Sequence, residues 1–327
     1  MLCRFWLRRL GFAAVIGALF GAAPSRAAGK IDEIRIDYAY YNPLSLILKD
    51  KGWLDEELKK DGIKLRWVLS LGSNKALEFL NAKSLDFGST AGAAALLGRI
   101  NGNPVKSIYV YSRPEWTALV TQAASSIHNV GDLKGKRVAA TRGTDPYIFL
   151  IRALSANGLT EKDVRIVLLQ HQDGRLALAK GDVDAWAGLD PMMAQAERED
   201  GARLFFRNAA FNSWGVLNTR AEFATDHPDL VRKVLSVYEK ARAFALAPPD
   251  EVTRTIATYT KLPDDIAAAQ LRRTSLETAA IGEVQKKTIE EAGMALRQAG
   301  IIPADVNVEA ATEELIDPTF VTELGIK

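Results

Sequence analysis

The chain has 327 residues, 42 of them basic and 40 acidic, with three histidines and one cysteine. That length suits two domains better than a single core, and the near balance of charge argues against nucleic acid or anionic lipid as a partner. With Cys3 as the lone cysteine, internal disulfides are excluded.

Arg4, Arg8 and Arg9 precede an apolar run over 10–23, and Ser25 and Ala27 then stand at the −3 and −1 positions of a small-residue cleavage site. Residues 1–27 are therefore expected to be a secretory signal peptide. The apolar run falls short of the roughly 20 residues that a spanning helix needs. Cleavage would remove Arg4, Arg8, Arg9 and Arg26, leaving 38 basic against 40 acidic residues and a net charge near −2. It would also remove Cys3, and with it thiolate chemistry, Cys-based metal sites and a lipid tether. The expected mature protein is free, soluble and extracytoplasmic.

Beyond the leader, strands alternate with helices. The pattern predicts strands over 34–38, 65–69, 84–88 and 105–111, with helices over 43–49, 74–81 and 91–100 between them. Arg113-Pro114 interrupts the rhythm, and a strand restarts at 117–120. A second unit follows, with strands over 137–140, 164–169 and 185–187 and helices over 146–157, 174–180 and 191–199. A second break falls near Asn212 to Leu217, and the remainder reads as helices over 227–246, 252–260, 263–273 and 284–299. Such alternation indicates an α/β fold with parallel strands. Two breaks around one α/β unit describe a lobe (114–212) inserted into another (28–113 plus 213–327). Two crossings form a hinge, and hinged lobes close on something between them.

Polar residues recur at the turns from strand to helix. Gly72-Ser73, Gly88-Ser89-Thr90, Gly143-Thr144-Asp145-Pro146 and Asp190-Pro191 each precede a predicted helix. Ser, Thr and Asp cap helices in any protein. In a parallel sheet, however, all these turns share the carboxyl edge where ligands bind, and helix N-termini attract anions without basic side chains. Three Gly-Ser or Gly-Thr turns in two lobes point to a binding cleft. Tyr40, Tyr41, Trp116, Trp186 and Trp214 cluster near the same turns and are candidates to cover an apolar tail. Arg113 and Arg142 are the basic candidates, and Asp190 is either a cap or a partner for an amino group. No His pair at i and i+4, P-loop, dinucleotide fingerprint or nucleophile elbow is found. No metal, cofactor or catalytic residue is expected.

The chain resembles the periplasmic solute-binding proteins of ABC importers for aliphatic sulfonates, taurine and nitrate. The resemblance runs through Leu77-Glu78-Phe79-Leu80, Asp86 to Thr90, Val130 to Ala139, Gly143 to Leu154, Gly181 to Pro191 and Gly300 to Pro318. It implies a two-lobed type II binding-protein fold, with a mixed sheet in each lobe and two hinge crossings. It also implies a sulfonate-like anion held by Ser73, Ser89, Thr90, Gly143 and Thr144, with Trp186 and Trp214 lining the cleft. The implied partner is a membrane permease, the implied location a periplasm and the expected state a monomer. Tyr40-Tyr41-Asn42-Pro43 and Gly188-Leu189 depart from the family pattern. Taurine, nitrate, an aromatic carboxylate or a thiamine-type pyrimidine therefore stay open as solutes, as does an enzyme on the same fold.

Overall fold

In the computed structural model, residues 29–247 and 249–327 are described. The leader reading, Cys3 included, lies outside the described residues. Among the described residues, eleven strands and fourteen α-helices follow one another, beginning with two rounds of the same pattern. The first round is β1 (Glu33–Tyr38), α1 (Pro43–Lys51), α2 (Trp53–Lys59), β2 (Lys64–Leu69), α3 (Ser73–Asn81), β3 (Phe87–Ala91), α4 (Gly92–Ile100) and β4 (Val105–Pro114). The second is β5 (Leu119–Thr121), β6 (Arg137–Ala140), α5 (Asp145–Ala156), β7 (Arg165–Leu168), α6 (His171–Lys180), β8 (Ala185–Ala187), α7 (Met192–Glu199) and β9 (Arg203–Phe206). The chain then returns through β10 (Gly215–Arg220), α8 (Ala221–Asp226), α9 (Pro228–Leu246), α10 (Pro249–Thr260), α11 (Asp264–Arg272) and β11 (Thr274–Ser275). It ends with α12 (Glu283–Gln298), α13 (Val308–Leu315) and α14 (Thr319–Glu323).

Local chemistry sets the element ends that matter for the site. Asn42 caps α1 by accepting from the Ser45 amide, Pro43 opens the helix, and Gly52 closes it with φ 66°. Thr144 precedes α5 in an extended conformation, with Asp145 and Pro146 in its first turn.

Two mixed sheets result, with strand orders β11-β4-β10-β3-β1-β2 and β7-β6-β8-β5-β9. In the first, β2, β1 and β3 are parallel, while β10 runs antiparallel to both β3 and β4. In the second, β7, β6 and β8 are parallel and β5 is antiparallel to β8 and β9. The parallel trios place six strand-to-helix turns at carboxyl ends, three in each sheet. Both sheets belong to one compact unit, Ile31–Lys327; Met1–Lys30 forms a separate unit, of which only Gly29 and Lys30 are described. Among the described residues, no helix is long and apolar enough to cross a membrane.

The predicted strand over 84–88 starts three residues late. Lys83 turns the chain with φ 55°, and the Ser84 and Leu85 amides stay bonded to the Phe79 carbonyl at the end of α3. Pairing with β10 therefore begins at Phe87 and takes in Ser89 and Thr90. The predicted helix over 174–180 instead begins at His171.

The chain passes between the sheets after β4 and before β10. Asp145 is buried between the two crossings: it accepts from Trp116 Nε1 at 2.8 Å and from the Ser213 amide and hydroxyl at 2.9 and 2.6 Å. Ser213 Oγ in turn accepts from the Ala93 amide in the first turn of α4. A third link runs through β11, which pairs with Arg113 and Pro114 of β4. Just before it, the Arg273 guanidinium pairs with Asp190 at 3.3 Å and with Glu197 of α7.

Candidate functional site

Between the carboxyl edges of the two sheets lies a chamber of about 480 Å³. Tyr40 and Leu71 wall it from the first sheet, Thr260 and Leu262 from the turn after α10, and Gln170, His171, Pro191 and Met192 from the second sheet. Beside it is a narrow neck of about 10 Å³, bounded by Tyr41, Ser73, Trp116, Thr144, Asp145 and His171. His171 belongs to both walls, so the neck adjoins the chamber there. Neither wall contains a lysine or an arginine.

Three helix N-termini meet at this place, those of α3, α5 and α6. The first amides of a helix have no intrahelical acceptor, and they carry the positive end of the helix dipole. Close approach of the two sheets depends on glycine. A Cβ at Gly72 would fall 2.7 Å from Asn74 Oδ1 and 3.0 Å from His171 Nε2, and one at Gly143 would touch Asn74 Cβ at 3.4 Å. Gly143 also needs the left-handed region, with φ 78°. Gly72 is extended, with φ 165°, so its constraint is space rather than backbone conformation.

Of the residues anticipated from sequence, Tyr40, Tyr41, Ser73, Trp116 and Thr144 line these walls, and Gly143 abuts them. Ser73 Oγ accepts from the Ala91 amide at 3.0 Å, so its own proton can point to a ligand. Thr144 Oγ1 donates to the Thr141 carbonyl at 2.6 Å and retains acceptor capacity. The Tyr41 hydroxyl donates to the Ser89 carbonyl, and its ring meets Trp116 edge-on at 5.9 Å.

The other candidates are placed elsewhere. Ser89 and Thr90 are interior residues of β3 rather than turn residues. The Ser89 hydroxyl donates to Asp37 and accepts from Asn42, while Thr90 Oγ1 donates to the Ala91 carbonyl and accepts from Asn218. Arg113 lies over the Trp214 ring at 5.2 Å, and both line a separate hollow of about 130 Å³. Arg142 pairs with Glu161 at 3.0 Å and stacks on Tyr147. Trp186 packs beneath α6, where a Cβ at Gly174 would be 2.6 Å from its Nε1. Asp190 caps α7 through the Ala194 amide and pairs with Arg273, while the following Pro191 reaches the chamber.

Wall residues that the sequence did not single out are Leu71, Gln170, His171, Met192 and the Thr260-Leu262 turn. A signal existed for one group: 170–173 is polar and leads from β7 into α6, as 70–73 leads from β2 into α3 in the first round. Among the described residues, no group of three or more His, Cys, Asp or Glu side chains is arranged to hold a metal ion.

The model of the NMT1/THI5-like family matches residues 46–252, which is more than half of the chain. The chain belongs to the NMT1/THI5-like family. A Bacillus subtilis relative named for binding aliphatic sulfonates is 28% identical over 94% of this chain and 93% of its own. An Escherichia coli relative with the same naming is 29% identical over 64% of this chain and 66% of its own. Among solved structures, the alkanesulfonate-binding protein SsuA from Xanthomonas axonopodis pv. citri, bound to MOPS, superposes with a TM-score of 0.79. It shares 24% identity and covers 87% of this chain and 99% of its own. The NMT1/THI5-like chain thus has the two-sheet periplasmic binding-protein fold.

Proposed function

We propose that the protein is the solute-binding component of an ABC importer. It closes over a small organic anion of the sulfonate class and delivers it to a membrane permease. The observation that carries this reading is the meeting of three helix N-termini from two sheets at one end of an uncharged chamber. Helix ends attract an anionic head without a counter-ion, and the Tyr40, Leu71, Met192 and Leu262 walls suit an alkyl or aryl tail. The relatives' naming for aliphatic sulfonates favours the same solute class. On this reading the head sits where chamber and neck adjoin, against Ser73 and Thr144. The lobes, 28–113 plus 213–327 and 114–212, move about the crossings held by Asp145, with solute energy favouring the closed state. We place the protein in the periplasm as a monomer, exported by the 1–27 leader.

A thermal-shift and calorimetric screen of alkanesulfonates, taurine, aryl sulfonates, nitrate and pyrimidines tests this. A solute at 100 times its Kd should stabilise the protein by about 2.7 kcal/mol. The expected result is stabilisation by a tailed sulfonate; a response to uncharged solutes alone would remove the anion reading.

Gly72→Val provides an independent check on closure. Its γ-carbons would occupy the space against His171, which is buried and cannot give way. Overpacking of this kind costs about 1–3 kcal/mol, so the best sulfonate should bind roughly 10–100-fold more weakly with little change in melting temperature. Unaltered affinity would show that closure does not bring Gly72 and His171 together.

A further inference from the structure

His171 is the first residue of α6 and is 1% exposed. Its Nδ1 lies 3.2 Å from Thr141 Oγ1, and that hydroxyl donates its single proton to the Leu169 carbonyl at 2.7 Å. Thr141 can therefore only accept from the imidazole, which places the ring proton on Nδ1 and leaves a lone pair on Nε2. Nε2 is buried and has no hydrogen-bond partner. His171 lines both chamber and neck, and its Nε2 faces Gly72 of the other sheet. Burial lowers the imidazole pKa to about 3, so the ring is neutral at physiological pH.

A neutral imidazole whose lone pair faces the seam between the two sheets repels the oxygens of an anion and welcomes an N–H or O–H. Leaving such an acceptor unpaired costs about 1–3 kcal/mol, which a solute that supplies a donor recovers. Gln170 Oε1, on the chamber wall, and Asn74 Oδ1, beside Gly72, are likewise without partners.

Building on the anion-binding reading, we propose that His171 is a specificity-determining residue. It selects anions that carry a hydrogen-bond donor, hydroxyl or amino, on the carbons next to the charged head. The anion is held by the helix ends and its donor by His171 Nε2, so plain alkyl analogues bind with a penalty.

The test is calorimetric titration of the full chain with pentane-1-sulfonate, 2-hydroxypentane-1-sulfonate and 2-aminopentane-1-sulfonate. The hydroxyl or the amino compound should bind at least 10-fold tighter than the plain one, and the stronger of the two identifies the donor. In His171→Phe, and in His171→Leu should the first variant fold poorly, the ratio should fall to within about twofold. Equal binding of all three to the wild type, as an internal bond from Asn74 to His171 would produce, overturns the selectivity and leaves the anion reading standing. So does a preference that survives in the variants. Failure of all three to bind overturns both. Titration of the hydroxyl compound in buffers of different ionisation enthalpy should show no net proton uptake. Uptake of one proton that His171→Phe abolishes would make the imidazole a charged donor and overturn the assignment.

Discussion

Asp145→Ala is expected to lower the unfolding free energy by about 3–5 kcal/mol, the largest single-site effect we foresee. The Asp145 carboxylate is buried at the first turn of α5 and accepts from Trp116 Nε1 and from both the amide and the hydroxyl of Ser213. Hydrogen bonds to a charged group each contribute about 1.5–3 kcal/mol, and each buried donor left unpaired costs about 1–3 kcal/mol. The sum is not additive, because the carboxylate's own burial opposes it; desolvation pushes the Asp145 pKa up. Asp145→Asn, which keeps one acceptor, should lose roughly half as much. Urea unfolding followed by tryptophan fluorescence measures both. A loss below 1 kcal/mol for the alanine variant would mean that the crossings are held by packing alone. The same network should make the hinge stiff, since Trp116 and Ser213 belong to the two crossing segments and Ala93 to helix α4 beyond them.

Stability should also depend on pH through Asp37. Its carboxyl lies inside the first sheet, bonded to the amide and hydroxyl of Ser89, and burial raises its pKa from 3.8 to about 6. A carboxyl that binds its proton more tightly in the folded state favours folding most below the unfolded value of 3.8. That contribution is lost as pH rises through about 6. The shift corresponds to about 3 kcal/mol. The stability advantage of wild type over Asp37→Asn should therefore shrink by about that amount between pH 3.8 and pH 7. Comparing the two proteins at each pH cancels the other titrating groups, including Asp190, which burial also raises to about 6. A difference that stays constant or grows with pH would show that the Ser89 bonds outweigh burial.

The fold was largely legible because its signals are local. Alternating apolar residues mark β1 and β2, and capping residues with a following proline mark α1 and α5. The two breaks at Arg113-Pro114 and Asn212 to Leu217 correspond to the passages between sheets. Elements without such signals were missed: the short α2, the strands β9, β10 and β11, and the last two helices. The antiparallel course of β10 follows from pairing with β3 and β4, partners distant in the chain.

The site was less legible, for two reasons that particular residues make plain. Gly88-Ser89-Thr90 has the composition of a turn, but the loop ending at Lys83 and Asp86 delays the strand and carries both hydroxyls inside the sheet. Gly174 reads as a helix start, whereas it is mid-helix because Trp186 leaves no room for a Cβ. Starting the helix there hides His171 in an apparent loop.

Sequence alone determined the rhythm of strand, polar cap and helix, and with it two α/β units whose helix ends face one edge. It also marked Tyr40, Tyr41, Ser73 and Thr144, because caps and the residues beside them are set by contacts three or four positions apart. Tertiary structure decided which polar groups face the cleft and which are consumed inside it. Arg113 and Arg142 find partners away from the chamber, Ser89 is taken up by Asp37, and His171 is brought against Gly72 from the other sheet. Whether a donor or acceptor is left free depends on neighbours that only folding supplies.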